Sequence, residues 1–270
     1  MPLWTAAILG IVEGLTEFLP ISSTGHLILA AHLLGQHDEA AKSFEIVIQL
    51  GAILAVLVHF RRLLALRVAG LFRRDPASLR LLWVIVAAFL PTAVAGLLLR
   101  KVIKRHLFGP WPVALALIVG GVVMIAGEIA LARRPRQELH ELEAVTPRQG
   151  FVIGVAQCFS LWPGTSRAMT TLLAGRFLGL DPRTSAEVSF LLAIPVLGAA
   201  TALDLYKDGR ALLATSDARA ALAVGFVTSF VVAWVAIGWF LGFLRKRGLQ
   251  GFGWYRIALG IAVFLLIPRP

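Results

Sequence analysis

Charged residues are scarce in this sequence. They make up 15% of its 270 residues, whereas hydrophobic residues make up 58% and the mean hydropathy is +0.82. An ordinary soluble domain is about 25% charged, and even a large one buries only about three quarters of its chain surface. A soluble fold would leave too much apolar surface in water, so the composition predicts a protein whose solvent is lipid.

Two other absences exclude further classes of protein. Cys158 is the single cysteine, which excludes an intrachain disulfide and a cysteine-rich zinc site. No Lys or Arg precedes Lys42, and Glu13 and Glu17 interrupt the first apolar stretch. A cleaved signal peptide is therefore not expected.

The basic residues exceed the acidic ones, and the formal net charge is +11. The Lys and Arg residues lie between apolar runs and form no single stripe, so a nucleic-acid partner is not expected. Membrane orientation and contact with anionic lipid head groups explain this distribution better. Membrane lipids are therefore the predicted neighbours of the chain.

Six apolar runs are long enough, or nearly so, to cross about 30 Å of hydrocarbon as helices. They are residues 44 to 60, 81 to 99, 112 to 132, 187 to 205, 221 to 244 and 255 to 268. Two other apolar stretches, 3 to 35 and 150 to 180, are broken midway by Pro20 and by Pro163 with Gly164. Their halves are too short to span, so each stretch predicts a re-entrant helical hairpin.

The two broken stretches resemble each other. Residues 20 to 24 read PISST, and residues 163 to 167 read PGTSR. After each break an apolar helix begins with a carboxylate, Glu45 in the first case and Glu187 in the second. Three spans separate the hairpins, so the second hairpin enters from the opposite face of the membrane.

We therefore predict an all-α polytopic membrane protein made of two inverted-topology repeats. Its single transmembrane domain, residues 1 to 270, would consist of one repeat over about 1 to 132 and another over about 150 to 270. About six transmembrane helices and two re-entrant hairpins are expected. Inverted repeats of this kind bring their two breaks together near the bilayer midplane, around one polar cavity.

The distribution of basic residues predicts the orientation. Segments 61 to 80, 133 to 150 and 245 to 256 fall on one side and carry 14 Lys and Arg residues, against 9 on the other side. Cytoplasmic loops carry the excess of basic residues. The first hairpin, and the cavity, would then open outward.

Glu13 and Glu17 are the first candidates for chemistry. On a helix they lie one turn apart on the same face, where two bare carboxylates repel each other. Ionisable groups at membrane depth need partners, and carboxylate oxygens on adjacent turns suit Mg²⁺ or Ca²⁺, with phosphate oxygens completing the shell. The alternative is a pair at the solvated end of a short helix.

Hydroxyl groups follow the first break. Ser22, Ser23 and Thr24 open the next helical run, where hydroxyls and free backbone N–H groups form an anion site. An ordinary helix N-cap is the alternative reading. His26, one turn further on, is positioned to act as a nucleophile or to exchange protons with a reacting oxygen.

The second break offers an equivalent set, Thr165, Ser166 and Arg167. An Arg at membrane depth requires an anion, and a guanidinium can hold two phosphate oxygens at once, so Arg167 is the predicted phosphate clamp. Neutralisation of an acidic side chain is the competing role. Weaker candidates for the same cavity are Thr170, Thr171, Glu45, Gln49 and Glu187.

Three segments together resemble a known family. Residues 13 to 26, EGLTEFLPISSTGH, and residues 163 to 167, PGTSR, are similar to the two signature motifs of bacterial undecaprenyl-diphosphate phosphatases, the bacitracin-resistance family. Residues 44 to 51, FEIVIQLG, also resemble that family, and the similarity covers essentially the whole chain. One departure is that Ala168 and Met169 stand where Ser-Gly is common in the family.

The resemblance implies a function. Such an enzyme hydrolyses undecaprenyl diphosphate to the monophosphate and phosphate in the bacterial inner membrane, with a divalent cation, and so recycles the carrier lipid for peptidoglycan synthesis and opposes bacitracin. By position, the resemblance assigns Glu13 and Glu17 to the acidic motif, Ser22, Ser23, Thr24 and His26 to the hydroxyl-His stretch, and Ser166 and Arg167 to the second motif.

A flippase or transporter of a phosphorylated polyprenyl lipid is the alternative, because inverted repeats around a midplane cavity suit it equally well. The acidic pair, the candidate nucleophiles and His26 favour catalysis. The sequence leaves open which group attacks phosphorus, which cation is bound, and whether the protein is a homodimer.

Overall fold

The computed structural model describes residues 1–36, 39–133, 138–212 and 215–267, and these residues form α-helices joined by short turns. The α-helices are α1 (Leu3–Thr16), α2 (Ser23–Leu33), α3 (Glu39–His59), α4 (Arg61–Phe72), α5 (Pro76–His106), α6 (Pro110–Ala132), α7 (Pro147–Gln157), α8 (Arg167–Phe177), α9 (Pro182–Leu212), α10 (Ser216–Leu244) and α11 (Gln250–Leu266). No β-strand occurs within these ranges. The all-α prediction is confirmed for them.

Four helices are long and apolar enough to cross a membrane, namely α5, α6, α9 and α10. Helices α3 and α4 meet at a bend of 74° and supply a fifth span if they are counted as one. Helix α11 is apolar but has only 17 residues. The chain is thus a multi-pass membrane protein, and the count of six spans remains a prediction.

The predicted breaks are present. In the first half α1 ends at Thr16 and α2 begins at Ser23; in the second half α7 ends at Gln157, a 3₁₀ turn follows, and α8 begins at Arg167. Proline lacks the N–H that a continuing helix needs, so Pro20 explains the first interruption. Gly164 in the second has a φ of 99°, and a Cβ there would lie 2.5 Å from the Val113 carbonyl oxygen.

The two breaks share an uncommon backbone geometry. Ser22 has a φ of 73° and Ser166 a φ of 75°, a region that residues other than glycine rarely occupy. Each serine caps the helix that follows: the Ser22 hydroxyl accepts from the Gly25 N–H, and the Ser166 hydroxyl accepts from the Met169 N–H. The caps therefore correspond, but one residue out of the register of the sequence comparison, which pairs Ser22 with Thr165 and Ser23 with Ser166.

Each half packs its hairpin against a long helix of the other half. Helix α1 lies on α10, with Gly14 against Ser229, while α7 lies on α5, with Gly154 against Ala88. Glycine lets these backbones approach closely because it has no side chain. This reciprocal packing is the arrangement that two related halves would give. The repeat boundaries and the inverted orientation of the repeats remain predictions.

Arg256 of α11 lies between the two breaks and is fully buried. Its guanidinium donates to the carbonyl oxygens of Pro20 at 3.1 Å and Gly164 at 2.9 Å, one from each break. Two more donations go to the carbonyl oxygens of Ala116 and Leu117 in α6. Arg256 thus ties α6, α11 and both breaks together.

This position corrects the charge count. The sequence analysis placed Arg256 in a basic surface segment, 245 to 256, but α11 begins at Gln250 and buries Arg256, because four carbonyl oxygens satisfy its donors. Without Arg256, the side predicted to be cytoplasmic carries 13 Lys and Arg residues and the other side carries 9. Of the counted residues, Arg134, Arg136 and Arg269 lie outside the described residues.

Candidate active site

A hydroxyl and a carboxylate from the first break form the centre of the site. Ser23, the first residue of α2, donates its hydroxyl to Glu17 Oε2 at 2.5 Å, and both side chains are buried. Glu17 follows directly after α1. The break therefore folds the chain back so that two residues six apart in sequence are hydrogen-bonded. A carboxylate that accepts a hydrogen bond from a hydroxyl can chemically serve as a base for it.

Arg167 reaches this centre from the second break. Its Nη2 lies 3.5 Å from Glu17 Oε1, and its Nη1 donates to the Ser189 carbonyl oxygen at 2.7 Å. The guanidinium carbon lies 5.9 Å from the Phe18 ring centroid, a cation–π contact. Among the described residues the Nε of Arg167 has no hydrogen-bond partner. The structure thus brings both breaks to the Glu17 carboxylate, as the repeat pattern predicts.

A hydrogen-bonded group behind Arg167 fixes its position. The Thr171 hydroxyl lies 2.8 Å from the Arg167 carbonyl oxygen and 2.7 Å from the Ser189 hydroxyl. Thr170 bonds one turn back, to the Ser166 and Arg167 carbonyl oxygens. These contacts anchor α8 against α9 at the first turn, where the guanidinium emerges.

His26 lies beside the centre, and both of its ring nitrogens are engaged. Nδ1 is 2.7 Å from the Ser22 carbonyl oxygen, and Nε2 is 2.7 Å from the Tyr255 hydroxyl. A carbonyl oxygen can only accept, so Nδ1 carries the proton; in the neutral ring Nε2 then accepts from Tyr255. Ser23, in contrast, has a carboxylate as its partner.

Glu13 has the least satisfied carboxylate in the site. It is 0% exposed, and neither of its oxygens has a hydrogen-bond partner among the described residues. Glu17, Glu45 and Arg167 lie within electrostatic range of it. A buried carboxylate without partners is costly, so Glu13 fits a site that takes a cation.

The donor set favours an oxygen-loving cation with few protein ligands. Within the described ranges no group of three or more His, Cys, Asp and Glu residues is arranged to hold a metal ion. Glu13 and Glu17 therefore offer two carboxylates at most. Mg²⁺ is commonly bound in this way, by one or two carboxylates together with substrate phosphates and water.

The match to a family model decides the class of the protein. Residues 6–262 match the model described as bacitracin resistance protein BacA. The chain belongs to this family. The match spans both breaks and every residue of the site described above.

Similar proteins share most of the length of the chain. An "Undecaprenyl-diphosphatase" of Sorangium cellulosum is 58% identical over 97% of this chain and 85% of its own. An "Undecaprenyl-diphosphatase 2" of Rhodospirillum rubrum is 50% identical over 96% of this chain and 92% of its own. An "Undecaprenyl-diphosphatase" of Solidesulfovibrio magneticus is 45% identical over 98% of both chains.

The other predicted site residues in this BacA-family chain occupy the edges of the cluster. Ser22 and Ser166 are helix caps, and Thr24 and Thr165 are half-buried at the two breaks. Glu187 instead pairs with Arg183 at 2.8 Å.

Three residues of the cluster were missed by the sequence analysis: Ser189, Tyr255 and Arg256. A signal existed for Arg256, because an Arg at the start of an apolar run needs a partner at membrane depth, which is the argument applied to Arg167. Ser189 and Tyr255 gave no local signal. Ser189 contacts Arg167, 22 positions away in sequence, and Tyr255 contacts His26, 229 positions away.

Proposed function

We infer that this protein hydrolyses undecaprenyl diphosphate to undecaprenyl phosphate and inorganic phosphate within the bacterial inner membrane. The observation that carries this inference is the buried cluster of Ser23, Glu17 and Arg167 in a chain of the BacA family. Relatives named undecaprenyl-diphosphatase, up to 58% identical, support the same reaction. The product would re-enter peptidoglycan synthesis as the carrier lipid, and consumption of the diphosphate would oppose bacitracin.

The hydroxyl-carboxylate pair supports nucleophilic attack by Ser23. Ser23 Oγ forms the new bond to the terminal phosphorus, the anhydride P–O bond breaks, and the Ser23 proton passes to Glu17 Oε2. Undecaprenyl phosphate leaves with the electron pair of that bond. Glu17 gives this proton to the departing undecaprenyl phosphate oxygen and is a carboxylate again. It then accepts a proton from the water that attacks the phosphoserine, and it passes that proton to Ser23 Oγ as phosphate is released.

Residues from both halves of the chain can contribute to phosphate binding. The first turns of α2 and α8 point N–H groups and the positive end of each helix dipole toward the breaks. The hydroxyls of Ser22, Thr24, Thr165 and Ser166 lie at these same turns. Arg167 adds a positive charge that can clamp phosphate oxygens. An anionic diphosphate is thus the ligand that this arrangement favours.

The test is phosphate release by the purified, detergent-solubilised protein given undecaprenyl diphosphate. We expect one phosphate per lipid, and Ser23→Ala protein prepared in the same way serves as the blank. A lipid-flipping assay in vesicles addresses the transporter alternative. Flipping of the lipid with no phosphate release would overturn the enzymatic function.

We also propose that Glu13 and Glu17 hold Mg²⁺ or Ca²⁺ at the diphosphate. Bound there, the cation would neutralise charge on the phosphate oxygens and on the leaving group. The support is the unpartnered, buried Glu13 carboxylate described above. Neutralising Glu13 should therefore weaken cation affinity more than it weakens lipid binding.

Chelation is expected to abolish phosphate release, and added Mg²⁺ or Ca²⁺ to restore it. Glu13→Gln should need at least about tenfold more cation for half-maximal activity, because loss of one charge-assisted ligand costs about 1.5 to 3 kcal/mol. Arg183→Ala, which changes a half-exposed surface pair, is the control. Full activity after exhaustive chelation would disprove metal dependence.

We propose that the site opens to the outside of the cell. The supporting observation is a cavity of about 470 Å³ whose walls carry five cations and three acids. Its cations are Arg176, Arg183, Arg245, Lys246 and Arg247. Arg167 and Arg176 lie toward opposite ends of α8, about 14 Å apart at 1.5 Å per residue. If the basic end is cytoplasmic, the catalytic end faces outward.

Cysteine labelling tests the orientation. In a Cys158→Ala background we expect Phe108→Cys to react with an impermeant thiol reagent in intact cells, and Lys246→Cys to react only after lysis. Both positions are exposed. The reverse pattern would place the site on the cytoplasmic side.

A further inference from the structure

Tyr255 contacts the site from outside both signature motifs. Its hydroxyl lies 2.7 Å from His26 Nε2, and its ring lies nearly parallel to the imidazole, with centroids 5.6 Å apart and planes at 7°. The residue belongs to α11, whereas His26 belongs to α2. A hydrogen bond between two nearly parallel rings of different helices therefore holds the imidazole.

The neighbouring residue explains why this contact is well defined. Arg256 ties α11 to the carbonyl oxygens of Pro20 and Gly164, so the helix cannot shift relative to the breaks without losing buried hydrogen bonds. An unsatisfied buried group costs about 1 to 3 kcal/mol. Tyr255 is consequently presented to His26 from a fixed position.

Two hydrogen bonds lead from Tyr255 to the residue before the nucleophile. The Ser22 carbonyl oxygen accepts from Nδ1–H of His26, which leaves Nε2 of the neutral ring to accept from the Tyr255 hydroxyl. Ser22 has the positive φ of 73° and immediately precedes Ser23. The imidazole thereby supports the strained turn that aims Ser23 Oγ at Glu17.

We propose that Tyr255 is a positioning residue: it fixes the ring orientation of His26, and through the Ser22 carbonyl it fixes the attack geometry of Ser23. Helix α11 is then a third component of the site, beside the two breaks. The proposal rests on the phosphatase function inferred above. It assigns the Tyr255 hydroxyl no contact with the reacting phosphorus.

Tyr255→Phe is the direct test, because it removes only the hydroxyl and keeps the aromatic ring. We expect kcat for phosphate release to fall about five- to tenfold, with KM and thermal stability in detergent unchanged. The matched control is Tyr206→Phe, since Tyr206 is the only other tyrosine and is 90% exposed. Equal turnover by the two variants would overturn the proposal.

A spectroscopic measurement keeps the test independent of activity. In ¹⁵N-histidine-labelled protein, with the His26 signals assigned by His26→Asn, the wild type should show a protonated Nδ1 and a hydrogen-bonded, unprotonated Nε2. Tyr255→Phe should shift the Nε2 signal, because the hydrogen bond to Nε2 is lost, and Tyr206→Phe should leave that signal unchanged. An unchanged His26 spectrum in Tyr255→Phe would also overturn the proposal, even if that variant were less stable.

The two measurements separate the proposals. A shift of the Nε2 signal in Tyr255→Phe, together with a wild-type protein that releases no phosphate, would refute the phosphatase function and leave the Tyr255 contact established. Phosphate release that is insensitive to Tyr255→Phe would refute the positioning role and leave the function intact. A double-mutant cycle with His26→Asn, measured with enzyme in excess, should show no further cost of Tyr255→Phe; additive costs would contradict action through His26.

Discussion

Ser23→Ala is expected to abolish phosphate release, with a loss of at least roughly 10³-fold. The substitution removes the oxygen that we propose attacks phosphorus, and loss of a nucleophile removes most of the catalytic effect of its base as well. Glu17 would keep its contact with Arg167, so folding should be preserved. Initial rates of phosphate release from undecaprenyl diphosphate, together with melting curves in detergent, measure both quantities.

Ser22→Ala is the matched control for that substitution. The Ser22 hydroxyl accepts from the Gly25 N–H at 3.4 Å as a helix cap, and loss of such a cap costs about 0.5 to 2 kcal/mol of stability. Ser22→Ala should therefore lower the melting temperature and reduce kcat far less than Ser23→Ala does. A Ser23→Ala protein that keeps more than about a tenth of its turnover would remove Ser23 as the nucleophile.

Arg167→Ala is expected to lower turnover by roughly 10² to 10⁴-fold. Two charge-assisted hydrogen bonds to phosphate oxygens, at about 1.5 to 3 kcal/mol each, account for this range if they tighten as charge moves onto the leaving phosphate. Arg167→Lys should recover little of it, because an ammonium is a point charge and cannot hold two oxygens in one plane. Arg183→Ala, at a half-exposed surface pair, should behave like the wild type.

The structure makes charge balance the competing role for Arg167, because its guanidinium lies 3.5 Å from Glu17 in a buried pair. Removing one partner of a buried pair commonly destabilises by about 3 to 5 kcal/mol. A residue that only balances charge becomes less necessary once a carboxylate is neutralised. Glu13→Gln combined with Arg167→Ala would then recover folding and turnover. For a phosphate clamp we expect a folded double variant with no recovery of turnover.

The sequence predicted the class of fold from local properties. Apolar runs, their lengths and the two proline-centred interruptions depend on residues near one another in the chain, so the membrane-spanning character, the breaks and the capped helices after them could be anticipated. The acidic pair, the hydroxyls and Arg167 could be singled out because polar groups at membrane depth are costly and therefore seldom incidental.

The division of roles within the site was not predictable in this way. Whether Ser23 or His26 is the better candidate to attack phosphorus depends on which of them is hydrogen-bonded to a carboxylate. Tertiary packing decides that contact. In the structure Ser23 is hydrogen-bonded to Glu17, and His26 is hydrogen-bonded to Tyr255. The count of basic residues on the predicted cytoplasmic side was too high by one for a related reason. Composition cannot distinguish a basic loop residue from one that is buried against carbonyl oxygens, as Arg256 is.

By itself, then, the sequence determined that this protein lies in lipid, its helical class and most residues of the buried polar cluster, because hydropathy, helix interruption and the cost of buried charge act over a few neighbouring positions. Only the tertiary structure decided which groups meet. Tyr255 and His26 are 229 positions apart, and Arg167 and Glu17 are 150 apart. Their contacts exist because each hairpin packs against the other half of the chain and Arg256 holds both breaks, and no local pattern encodes those distances.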